Sequence, residues 1–108
     1  MGASKMKHEK ILNLDPIIHA PTRLAILSVL ISVENANFKF LKDSIGTSDG
    51  NLSTHLTKLE EAGYISIKKI FKGKKPQTIC AITKKGIGAF EKYLEQLEQI
   101  VEMQRKKS

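Results

Sequence analysis

The sequence predicts an α+β fold that is mostly α: three helices, a β-hairpin and a long C-terminal helix. Three observations carry that expectation. Apolar residues recur at helical spacing in successive stretches between Asp15 and Gly63. Alternation of apolar and polar residues takes over from Tyr64 to Thr83, and a three-four repeat then runs from Ile87 to Val101. With 108 residues, 41% apolar and 27% charged, the chain suffices for one compact core and is too short for two ordinary domains. Its expected divisions are an arm over 1–14, a globular domain over 15–86 and a helix over 87–108.

The arm is polar and lysine-bearing, with a weak apolar set of Ile11, Leu12 and Leu14. Asp15-Pro16 offers an N-cap followed by proline at a first helical position, and Pro21 starts a second time after His19-Ala20. From Thr22 to Val33 nearly every residue except Arg23, Ser28 and Ser32 is apolar, as in a helix enclosed on most sides. Glu34-Asn35-Ala36-Asn37 breaks it. Phe38, Leu41 and Ile45 then mark a shorter amphipathic helix, and Gly46 fits its C-terminal stop.

Thr47-Ser48 are placed to cap a third helix, in which Leu52, Leu56, Leu59 and Gly63 form one core-facing stripe. Gly50, Thr54, Thr57, Lys58 and Glu61 lie opposite, flanked by Asn51 and Ser53, so that face is small, polar and able to form hydrogen bonds. Tyr64 to Lys68 and Thr78 to Thr83 read as strands joined through Lys72-Gly73-Lys74-Lys75-Pro76. Thr83 can cap the last helix. There Ile87, Phe90, Leu94, Leu97 and Val101 make a heptad seam flanked by Glu91, Glu95, Glu98 and Glu102.

Charge is distributed unevenly. The net charge is +7, and residues 64–86 hold Lys68, Lys69, Lys72, Lys74, Lys75, Lys84 and Lys85 with no acid. The hairpin region thus carries a charge equal to the whole chain's excess, which points to a polyanionic partner. Lysines that only solubilise a surface hairpin are the plainer alternative. Lone Cys80 cannot close an intramolecular disulfide, and no Cys/His spacing suits zinc, so no cofactor is expected. No apolar run is long enough for a bilayer, and the first ten residues do not read as a signal peptide, so a soluble cytoplasmic protein without a membrane partner is expected. Phosphate-loop and nucleophile motifs are missing, which argues against an enzyme.

Several residues carry the next step: Pro21 to Leu27 in the first helix, Phe38-Lys39-Phe40-Leu41 opening the second, Ser48 to Ile65, and Thr78 to Gly86. Over about residues 15–100 these resemble the winged helix-turn-helix regulators of the ArsR-like and MarR-like kind. The resemblance implies a third helix entering the major groove of double-stranded DNA, a basic two-stranded wing on the adjacent backbone or minor groove, and a homodimer formed through the last helix. Ser48, Asn51, Ser53, Thr54, His55, Thr57 and Lys58, with Lys72, Lys74 and Lys75 of the wing, would then contact DNA. Ile87, Phe90, Leu94, Leu97 and Val101 would form the dimer interface. The cysteine pairs of ArsR-like metal sensors are absent, and the sequence names no effector.

Each assignment has a plainer counterpart. Asn51 can read adenine and Lys58 can reach guanine or phosphate, or both can belong to an ordinary solvated face. His55 lies at the edge of the leucine stripe, suiting a hydrogen-bonded boundary histidine or a DNA contact. Asp49 fits the positive end of the third helix's dipole. Arg23 can contact the backbone or pair with Glu60 or Glu61, and Cys80 fits a small buried apolar residue better than a redox switch. Rival functions are a winged-helix protein-interaction module and a non-specific architectural nucleic-acid binder.

Overall fold

The computed structural model describes residues 13–107, so Ile11, Leu12 and most of the expected arm lie outside the described residues. The order is α1 (Pro21–Ser32), β1 (Ala36–Asn37), α2 (Phe38–Ile45), α3 (Asp49–Glu61), β2 (Ile65–Lys72), β3 (Lys75–Ile82) and α4 (Lys84–Lys107). The strands form an antiparallel sheet in the order β1-β3-β2.

Local chemistry sets most boundaries. Asp15 turns the chain by accepting from the Ile17 amide at 2.8 Å, and Pro21 opens α1, where its missing N–H costs no helical bond. Asn37 caps α2 by accepting from Phe40 N at 2.7 Å, and Gly46 ends it with φ 74°, a left-handed turn that favours glycine. Ser48 caps α3, its Oγ accepting from Asn51 N at 3.2 Å. Asp49 stands in the first turn of α3, where the dipole favours an acid, and pairs with Lys42 at 2.8 Å. Thr83 Oγ1 accepts from Gly86 N at 3.0 Å and so opens α4, three residues ahead of the boundary at 87.

Two features of the sheet depart from the sequence expectation. Ala36-Asn37, read as a polar break, is a third strand paired with Cys80 and Ile79. The hairpin is also longer than expected: its ladder continues to Lys72 opposite Lys75, leaving only Gly73 and Lys74 in the turn. Gly73 has φ 67°, and no described non-glycine residue has positive φ. Glycine at the first central position is the pattern of a type II′ turn, whose twist suits a hairpin. Pro76 is therefore in a strand, at a place where its lack of an N–H breaks no bond to β2.

Ile26, Leu27 and Leu30 of α1, Leu41 of α2, the Leu52, Leu56, Leu59 stripe of α3, Ile65 and Cys80 of the sheet, and Phe90 and Tyr93 of α4 are buried together. Leu14 packs against this cluster. Truncating one such leucine to alanine costs about 2–5 kcal/mol, because the lost transfer energy is compounded by a cavity. Cys80 is a buried member of this core, as its alternating strand suggested, and burial pushes its thiol up to about 11, with Glu60 adding to the effect.

Candidate nucleic-acid interface

Burying three leucines of α3 turns its opposite side outward. Ser48, Asn51, Ser53, Thr54, Thr57 and Lys58 are exposed on it, and His55 is half-buried at its edge. Thr54 and Thr57 donate their hydroxyl protons back along the helix, to Gly50 O and Ser53 O, both at 2.9 Å. Each hydroxyl oxygen keeps lone pairs able to accept from an exocyclic amine, and a threonine methyl can meet the thymine methyl. Asn51 is more committed. Its Nδ2 donates to Thr47 Oγ1 at 2.6 Å and reaches Thr22 Oγ1 at 3.4 Å, tying the start of α3 to that of α1. In this arrangement Asn51 offers a groove its carbonyl oxygen, and a bidentate reading of adenine requires Nδ2 to release Thr47 or Thr22.

Arg23 holds α3 in place rather than pairing with Glu60 or Glu61. Its guanidinium donates to the carbonyls of Ile17 and Pro16, and Nη1 lies 3.2 Å from His55 Nδ1. A guanidinium has no acceptor, so His55 Nδ1 accepts and the imidazole proton sits on Nε2. Burial first, then the charges of Arg23 and Lys58, hold the His55 pKa below its ordinary value. The neutral form is the one that fits.

The chain passes directly from α3 into the wing. Tyr64 donates its hydroxyl to Asp15, and burial followed by that carboxylate pushes its pKa up to about 12. Tyr64 O also accepts from Thr83 N at 3.0 Å, which pins the bases of the two strands together. Beyond that anchor Lys68, Lys69, Lys72, Lys74 and Lys75 are all exposed. The structure thus presents a small polar helix face and a lysine ribbon as consecutive parts of one surface.

The five seam residues of α4 have different surroundings. Phe90 is taken into the chain's own core, Leu97 packs partly against it, Ile87 is half-buried, and Leu94 and Val101 are 41% and 47% exposed. The cause is rotational: Ile87, Leu94 and Val101 are seven apart and drift only about 20° per step, whereas Phe90 and Leu97 lie further round toward the body. Tyr93, between them, is 2% exposed and its hydroxyl lies 2.7 Å from His19 Nδ1. The sequence reading passed over Tyr93, although its place three after Phe90 and four before Leu97 is a core signal. Its link to His19, like that of Arg23 to His55, joins residues too distant in sequence for any local pattern to reveal.

The model of the winged helix DNA-binding domain family matches residues 22–101, and the chain belongs to that family. An uncharacterized protein of Methanocaldococcus jannaschii is 40% identical over 85 residues, covering 78% of this chain and 91% of that relative. Among solved structures, a transcriptional regulator homologue from Pyrococcus horikoshii OT3 superposes with a TM-score of 0.82 at 25% identity, covering 90% of this chain and 95% of its own. The transcriptional repressor CouR, bound to a 23-mer DNA duplex, shares the fold with a TM-score of 0.70 at 18% identity, over 89% of this chain and 68% of that one. The family is that of a winged helix DNA-binding domain, and the fold is shared with solved transcriptional regulators. Among the described residues no helix is long and apolar enough to cross a membrane, and no group of three or more His, Cys, Asp or Glu is gathered for a metal.

Proposed function

We propose that the protein is a transcription regulator that binds double-stranded DNA with sequence preference, as a homodimer. One observation carries the reading: the polar outer face of α3 leads without interruption into a wing whose charged side chains are all lysine. In this arrangement Ser53, Thr54, Thr57 and Lys58 meet base edges, His55 offers its Nε2 proton at the margin, and Ser48 and Asn51 hold the helix start against the backbone. Lys72, Lys74 and Lys75 release counterions from the flanking phosphates. CouR carries a duplex on the same fold, which supports the assignment by analogy.

The homodimer rests on α4. Leu94 and Val101 form an exposed apolar line with half-buried Ile87, a pattern suited to a second copy of the same helix. Two copies would set two α3 helices about 34 Å apart, in successive major grooves. A protein-interaction module would display large apolar side chains on α3, whereas the exposed ones among the described residues lie on α1, α2, β2 and α4.

Selection from a random duplex library tests the proposal. Enrichment of a two-fold-related site, weakened when Thr54 and Thr57 are replaced by valine, is the expected result. Duplex binding without enrichment would favour the architectural binder, and no duplex binding at low salt would favour the interaction module.

A further inference from the structure

The wing carries an apolar side chain that its electrostatic role does not use. Phe71 is 73% exposed, the most open of the large apolar residues described, near the end of an otherwise lysine-rich ribbon. It stands opposite Pro76, one pair before the turn-closing Lys72 and Lys75. In a ladder closed by a two-residue turn this is a non-hydrogen-bonded pair, the type in which facing side chains lie closest. Ring and pyrrolidine therefore form a small apolar plate. Strand alternation sets Lys69 on its side of the ribbon, and Lys68, Lys72 and Lys75 on the other.

We propose that Phe71, backed by Pro76, is the wing's non-ionic contact with duplex DNA, entering the minor groove beside the α3 site and pressing on deoxyribose and the edge of a base step. This rests on the DNA-binding reading above. The partner this suits presents anions around an apolar interior, because Lys69 shares the ring's side of the ribbon and Lys72, Lys74 and Lys75 stand at its tip; a groove with phosphates on its rims and sugars within has that form. A phenyl ring is thin enough for a minor groove about 6 Å wide, and apolar side chains placed there part base steps. The mount is stiff. The ladder continues to Lys72 and Lys75, so little ordering is needed when the ring engages.

The protein has no tryptophan, so Phe71→Trp supplies a single indole reporter at the site. On adding duplex, its emission should shift and its quenching by acrylamide should fall. Phe71→Ala should weaken duplex binding roughly tenfold, within the range for removing an aromatic contact to a base, and leave the salt dependence unchanged. Bending of circularly permuted duplexes should decrease in the same variant. An unchanged indole while anisotropy shows the duplex bound would overturn this proposal alone. So would an emission shift that follows protein concentration without DNA, since a second chain would then cover the ring. Failure of the unsubstituted protein to bind any duplex would contradict the DNA reading as well.

Discussion

Arg23 is the residue on which the presentation of α3 depends, since one guanidinium serves two carbonyls of the 15–20 segment and the imidazole of His55. Arg23→Ala should destabilise the fold by about 1 kcal/mol in denaturant titration, because it removes hydrogen bonds to part-buried acceptors on two segments. His55 adds a pH dependence. Its folded-state pKa lies below 6.5, so between the two values the unfolded chain binds more protons there. Stability should therefore fall as pH drops below about 6.5, and His55→Gln should flatten that part of a Tm-against-pH curve. Two glycines of α4 separate propensity from packing. At Gly88 an added Cβ meets nothing within 4 Å, so Gly88→Ala should stabilise by up to about 1 kcal/mol. At Gly86 the same Cβ would overlap Tyr64 O and approach Ile82 Cγ1 to 2.9 Å, so Gly86→Ala should destabilise despite its better helix propensity. Thermal denaturation of the pair shows which effect governs each position.

Most elements are legible in the sequence: α2, α3 and α4 follow their apolar spacing, α1 its nearly unbroken apolar run and the wing strands their β-rich runs, and Gly46, Ser48 and Thr83 mark ends. What escaped was short or cooperative. A two-residue strand has no period to detect, and Ala36-Asn37 becomes one only because β3 supplies its partner. The wing looked shorter because Pro76 reads as a breaker; in a ladder its cost depends on which way the absent N–H points. The seam of α4 was read as one surface because a heptad says which residues share a side of a helix, without saying how much of that side the monomer covers. Leu94→Glu with Val101→Glu should convert the proposed dimer to monomer in analytical ultracentrifugation while leaving the circular dichroism of the monomer intact, whereas Phe90→Ala should cost about 3–5 kcal/mol of fold stability. Replacing Lys74 and Lys75 by alanine should reduce the slope of log K against log salt by about one for each phosphate that is no longer neutralised.

The whole molecule joins a hydrogen-bonding helix face, a lysine wing and a long helix with an apolar line around a single core. The acid-free stretch 64–86 that points to a polyanionic partner is visible in the sequence. Long-range pairs such as Asp15 with Tyr64 and His19 with Tyr93 were not visible, because each depends on the completed fold to bring its partners together. Asp15 holds Tyr64 at the junction of α3 and the wing, and His19 joins the 15–20 segment to α4. The direct test is an anisotropy titration of a library-selected duplex and a shuffled duplex of equal composition, each at two salt concentrations. Tighter binding to the selected duplex, two chains per duplex and steep weakening by salt are the predicted results. Equal affinity for both duplexes would contradict sequence-specific regulation, and one chain per duplex would contradict the dimer.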